Sequence, residues 1–145
     1  RDPSSAASDV YKRQRLDNMI LRNNEVIGIL DWELSTLGHP IADFSYHCLS
    51  WRTQEAFWDE AKLKELGIPS EKEYMEMYCK YSGKDLSKNW EFYMAFNMFK
   101  IAGILQGILG RVRDGTAASK HAEERGNMVF PLSQAAWKTI EDNFL

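Results

Sequence analysis

The stretch R-L-D-N-M-I-L-R-N-N-E-V-I-G-I-L-D-W-E-L-S-T-L-G-H-P-I-A-D, from Arg15 to Asp43, decides the fold. Two short apolar runs, residues 19–21 and 26–30, stand on either side of Asn23-Asn24-Glu25. Asparagine tolerates positive φ, so Asn-Asn between such runs predicts a tight antiparallel hairpin. Asn18 stands just before the first strand and Asp31 just after the second. An antiparallel ribbon brings those two ends side by side. An amide oxygen and a carboxylate held there can share a hard cation such as Mg²⁺, which prefers oxygen ligands and keeps waters of its own. The alternative is that both are ordinary turn residues, since Asn and Asp are common at hairpin ends.

Outward from the hairpin, Ser35, Thr36, Gly38 and Pro40 have loop composition. Asp43 is placed to cap a helix over residues 44–51. A second helical pattern covers residues 55–66, with Gly67 suited to its stop. Ser70 and Glu73 form a capping box. After it, Tyr74, Met77, Tyr78 and Tyr81 repeat at helical spacing and predict one buried stripe. A long helix is expected over residues 88–113, capped by Ser87 or Asp85. Its apolar residues cover much of its circumference, which predicts a central position. Gly103, Gly107 and Gly110 weaken that helix and imply the close approach of another backbone. Residues 116–145 read as one kinked helix or two, with Pro131 as the break.

Composition bounds what the chain can be. Its 145 residues suffice for one compact domain with a sizeable core. A hydrophobic share of 44% argues against disorder as the main state. The net charge of −3 gives no bulk pull toward nucleic acid or anionic membrane, so neither is an expected partner. Cys48 and Cys79 are far apart and read as reduced core cysteines. No apolar run is expected to reach membrane-spanning length. A soluble cytoplasmic protein is the expectation. Residues 1–14 lack any hydrophobic period. They resemble a translated sequencing-adapter remnant, a non-native segment to be excluded from the fold; a disordered native tail is the other reading.

Protein kinases hold their metal ions with a catalytic-loop Asn and the Asp of D-F-G. Asp31-Trp32-Glu33 stands where D-F-G would be. The run L-D-W-E-L-S-T-L-G-H-P-I-A-D, residues 30–43, resembles the aminoglycoside phosphotransferase-like family of small-molecule kinases. It is most similar to the branch linked to acyl-CoA dehydrogenases. The resemblance runs from residue 15 to the C-terminus. It implies an α+β fold that is mostly α: the large C-terminal lobe of a protein-kinase-like fold, with the hairpin packed on a helical bundle. Residues 15–145 would form that partial lobe, the small ATP-binding lobe being absent.

The resemblance also implies ATP as co-substrate and Mg²⁺ held by Asp31 and Asn18. Asp43 and His39 would brace the loops, while Asp17 reads as a solvated carboxylate and Glu33 could reach metal-bound water or the acceptor. The kinase loop places its catalytic Asp five positions before the metal-binding Asn. That position is Arg13, and the His expected two residues earlier is Tyr11. A guanidinium cannot accept a proton at neutral pH, so the general base is missing and no turnover is expected. Arg111 and Lys120, with Lys100, Arg113, His121 and Arg125 around them, suit an anionic acceptor such as a hydroxyacyl-CoA. The alternative for this cluster is a solvated helix end complementing the dipole. An acyl-CoA dehydrogenase domain in the parent protein is a further expectation. A pseudokinase-like module that binds nucleotide or a partner without catalysis is the alternative function.

Overall fold

The computed structural model describes residues 18–32, 38–53, 60–86, 88–119 and 121–145. It is mostly helical with one small two-stranded sheet, as the sequence predicts. The chain divides into two compact units, Arg1–Lys88 and Asn89–Leu145.

In the first unit, β1 (Met19–Arg22) pairs antiparallel with β2 (Glu25–Ile29). Asn23 and Asn24 have φ of 51° and 63°. Two successive left-handed residues make the primed turn whose twist matches the strands it joins. Glu25 belongs to β2 rather than to the turn. A register shift between Ile20 and Leu21 adds a bulge, which sharpens the ribbon's twist.

Helix α1 spans Pro40–Cys48, and its cap corrects the expectation for Asp43. The capping residue is His39, whose Nδ1 accepts from the Ile41 N–H at 3.3 Å. Proline at the first helical position has its φ preset and no N–H to satisfy, so the helix starts there. Asp43 instead lies in the first turn, where its charge favours the positive end of the helix dipole. A short α2 (Ser50–Thr53) follows. Of the second predicted helix, α3 (Glu60–Glu65) lies within the described residues, while Phe57 and Trp58 lie outside them. Gly67, at φ 69°, ends it: Gly67 N donates to Lys64 O and Ile68 N to Leu63 O, the paired bonds of a glycine stop.

The capping box opens α4 (Glu71–Ser82) as predicted. Ser70 Oγ accepts from Glu73 N at 3.3 Å, and Glu73 Oε2 accepts from Ser70 N at 2.8 Å. The packed stripe of α4 is rotated from the predicted one. Tyr74 and Tyr78 are half-buried, but Met77 and Tyr81 are 46% and 80% exposed. Met75 and Cys79, one residue round the helix from the tyrosines, are half-buried with them. Phe44 of α1 stacks on Tyr78 at 3.9 Å between centroids and meets Tyr74 at 5.3 Å. Tyr74 stacks in turn on Trp51. Arg52 grips both carboxylate oxygens of Glu71 at 2.7–3.1 Å, and Trp51 Nε1 donates to Pro69 O. Each aromatic pair adds about 0.5–1.5 kcal/mol beyond area burial. Together these contacts fix α1 and α2 against α4.

The second unit holds α5 (Trp90–Arg113), α6 (Ala122–Gly126) and α7 (Val129–Phe144). Helix α5 begins at Trp90 after Asn89, rather than at Lys88, and no side-chain cap bond forms. The predicted cap Ser87 lies outside the described residues. Gly115, at φ 69°, closes α5 where expected. Trp90, Met94, Met98 and Ala102 are buried along α5, Leu132 and Ala136 are buried on α7, and the two helices pack against each other. Phe92, Phe96 and Phe99 are exposed, so α5 is not covered all round. At 24 residues it is also long and apolar enough to cross a bilayer by length and composition. That corrects the expectation that no such run exists.

Two more expectations change here. Nothing lies within 4 Å of a Cβ built on Gly103 or Gly110, and only the tip of Arg111 approaches Gly107. The glycine that close packing does require is Gly126, against which the Leu109 side chain sits. Pro131 does not break a helix. It is the third residue of α7, where a helical N–H has no partner to lose, and the interruption falls at Asn127-Met128.

Candidate functional site

The hairpin carries Asn18 and Asp31 to one point. Leu30 N donates to Asn18 O at 2.8 Å, which continues the ladder one step beyond the strands. From that anchor Asp31 turns into the left-handed region at φ 62°. For a non-glycine residue this costs roughly 1–2 kcal/mol, least for Asn and Asp. The turn directs the carboxylate back across the ribbon, where Asp31 Oδ2 accepts from Asn18 Nδ2 at 3.3 Å.

That separation can be compared with a Mg²⁺ shell. Metal–oxygen distances of about 2.1 Å in an octahedron put neighbouring oxygens about 3.0 Å apart. Asn18 and Asp31 therefore fit as adjacent ligands, once the amide turns its oxygen rather than its nitrogen toward the ion. The two ends of an amide are interchangeable by a flip. Among the described residues, no three His, Cys, Asp or Glu side chains gather as a cage. The pair suits a cation that keeps waters and shares its ligand's phosphates, as Mg²⁺ does. Both side chains are open enough to allow that.

Beside Met19, the residue after Asn18, lies a hollow of about 290 Å³ lined by Pro40, Asp43, Phe44, His47, Tyr74 and Tyr78. His47 Nε2 and the Tyr74 hydroxyl are 3.2 Å apart. Burial pushes the Tyr78 phenol above its ordinary value, and the Asp43 carboxylate and Cys79 push it further, against the Ser82 hydrogen bond. Asp43 thus faces this hollow. Sequence reasoning placed Asp43 as a cap and loop brace and did not join it, or His47, to the two tyrosines. Helix spacing brings Asp43 and His47 one turn apart on α1, which is the signal for a shared face.

The remaining predicted residues are dispersed. His39 caps α1. Arg111 and Arg113 are exposed in the last turn of α5, where they complement its dipole. His121 pairs with Glu124 at 3.1 Å, and Arg125 is exposed. Arg13, Asp17, Glu33 and Lys120 lie outside the described residues.

The sequence model of the phosphotransferase enzyme family, APH, matches residues 15–78, a span that includes the hairpin, α1, α2, α3 and most of α4. Residues 15–78 carry the APH family's sequence pattern. A crystal structure of a candidate aminoglycoside phosphotransferase from Ralstonia eutropha JMP134 is 43% identical to this chain. The two superpose with a TM-score of 0.80 over 92% of this chain and 42% of that one. The kinase-like fold expected from the D-W-E stretch is therefore the fold observed. Acyl-CoA dehydrogenase family member 10 of Mus musculus is 42% identical over 130 residues, 85% of this chain and 12% of its own length. Family member 11 of Homo sapiens is 35% identical over 136 residues, 90% of this chain and 17% of its own. The chain thus spans less than a fifth of these curated relatives.

Proposed function

We propose that the open end of the hairpin is the divalent-ion seat of an ATP-dependent phosphotransferase. The parent enzyme moves the ATP γ-phosphoryl group to a hydroxyl of a small cytoplasmic metabolite. The observation that carries this reading is the approach of Asn18 Nδ2 to Asp31 Oδ2 at 3.3 Å, on the two sides of one ribbon. Bound there, Mg²⁺ would neutralise phosphate charge and bridge the β- and γ-oxygens. Asp31 supplies the anionic ligand and Asn18 a neutral oxygen beside it. The hairpin holds both before the nucleotide arrives, so little ordering remains to be done at the moment of binding.

A hydroxyacyl-CoA is the acceptor we propose. Similarity to two acyl-CoA dehydrogenase family members supports it, as do the exposed Arg111 and, by sequence, Lys120, which suit its phosphates. The same similarity supports an acyl-CoA dehydrogenase domain in the parent protein.

Arg13 at the position of the base supports inactivity of the 145 residues alone. It equally favours a second reading, a nucleotide-binding module without catalysis. One experiment separates these. Titration with Mn²⁺ and ATP should show binding that Asp31→Asn weakens at least about tenfold, as loss of one charged ligand would. Assay with ATP and hydroxyacyl-CoA should show no transfer. Equal binding by the parent chain and Asp31→Asn would overturn the ion seat; metal-dependent transfer would overturn the inactivity.

A further inference from the structure

We propose that Trp32 is a positioning residue for this seat, a hook that sets the direction of the Asp31 carboxylate. The inference rests on the ion-seat reading and adds to it. Trp32 follows Asp31 directly, and its indole Nε1 donates to the Ile29 carbonyl at 2.6 Å. The side chain therefore curls back over the backbone it has just left. Asp31 is caught between two restraints. On one side, Leu30 N is bonded to Asn18 O at 2.8 Å. On the other, Trp32 is bonded to Ile29 O, at the last position of β2.

Asp31 sits between these bonds in the left-handed region, the conformation that an L-residue leaves most readily when nothing holds it. With the indole released, the peptide after Asp31 is free to return to the extended region. That rotation swings the carboxylate away from Asn18. The ring is half-exposed, so its role here is not that of a core side chain. A buried tryptophan earns its place by area; this one makes a short directed bond three residues back, across the ligand it orients. Any bulky aromatic could cover this surface, whereas only an N–H donor of indole reach closes this ring of atoms.

The test uses the 145-residue chain, with Trp32→Phe and an isostere of Trp32 in which sulfur replaces the indole N–H. Two readouts are needed. In metal-free protein, NMR follows the Asn18 side-chain amide and the Asp31 backbone amide, with Asn23 and Asn24 as the control for an intact hairpin. EPR then measures Mn²⁺ binding. Loss of a hydrogen bond of this kind corresponds to about a three- to tenfold change in an equilibrium. We expect both variants to move the Asn18 and Asp31 resonances, leave the turn resonances in place, and weaken Mn²⁺ binding by that factor. Fluorotryptophan at position 32, which keeps the N–H, should behave as the parent. An isostere with the parent's resonances and the parent's Mn²⁺ affinity would overturn the proposal. Resonances that move in a chain binding no Mn²⁺ in any form would support the hook and overturn the ion seat instead.

Discussion

Burial pushes the Cys48 thiol up to about 12; the Glu71 carboxylate adds to the shift and Arg52 opposes it. The thiolate is the reactive form, so Cys48 should resist alkylation. Iodoacetamide at pH 8 is expected to modify the partly exposed Cys79 and to reach Cys48 only after denaturation, as mass spectrometry of digested protein would show. The turn offers a second test at the same scale. Asn24 at φ 63° is replaceable by glycine without strain, whereas Asn24→Val should destabilise the hairpin by roughly 1–2 kcal/mol. The turn was legible because asparagine's tolerance of positive φ is a property of the residue itself. The His39 cap was not, because histidine is an uncommon cap and the decisive neighbour, Pro40, stands in a stretch of loop composition. The left-handed Asp31 was equally hidden, since it depends on bonds made by Leu30 and Trp32.

Helix α5 shows how far periodicity reaches. Its existence and its end at Arg113 follow from its apolar content and Gly115. Which side is buried does not, because nearly every side is apolar. Adjacent residues make the contrast measurable. Met98 is 1% exposed and Phe99 64%. Met98→Ala should cost about 2–5 kcal/mol, and Phe99→Ser within about 0.5 kcal/mol, both read by urea unfolding. The glycines divide in the same way. Gly126→Ala forces Leu109 to move and should cost about 1–3 kcal/mol. Gly103→Ala meets open space and should stabilise by up to about 1 kcal/mol. Sequence could not distinguish these positions, since steric need is set by a neighbour distant in the chain. On α4, burial raises both Tyr74 and Tyr78, with Cys48 adding to the first and Asp43 to the second. Their folded-state values lie above the unfolded ones. Their contribution is therefore intact below the ordinary tyrosine value, about 10, and is lost as pH rises from there through the raised values. Unfolding midpoints measured from pH 8 to 11.5 should fall, and Tyr74→Phe with Tyr78→Phe should flatten the decline.

For the molecule as a whole, the resemblance carried by residues 30–43 anticipated a helical lobe with one small ribbon, and that is what the chain forms. The meeting of Asn18 and Asp31 was legible at the level of two residues and one hairpin, because both side chains flank a turn that sequence specifies locally. The two compact units were not anticipated, since a boundary at Lys88 depends on which helices choose each other. The locality of the Asn18 and Asp31 pair has a consequence for assembly. Its two residues are separated by 13 positions along the chain, so their meeting closes a short loop at little entropic cost. Such contacts belong to the rapid end of folding, ahead of those that join distant helices. The nascent chain can therefore bring Asn18 and Asp31 together as soon as the ribbon leaves the ribosome, before α5 and α7 have been synthesised.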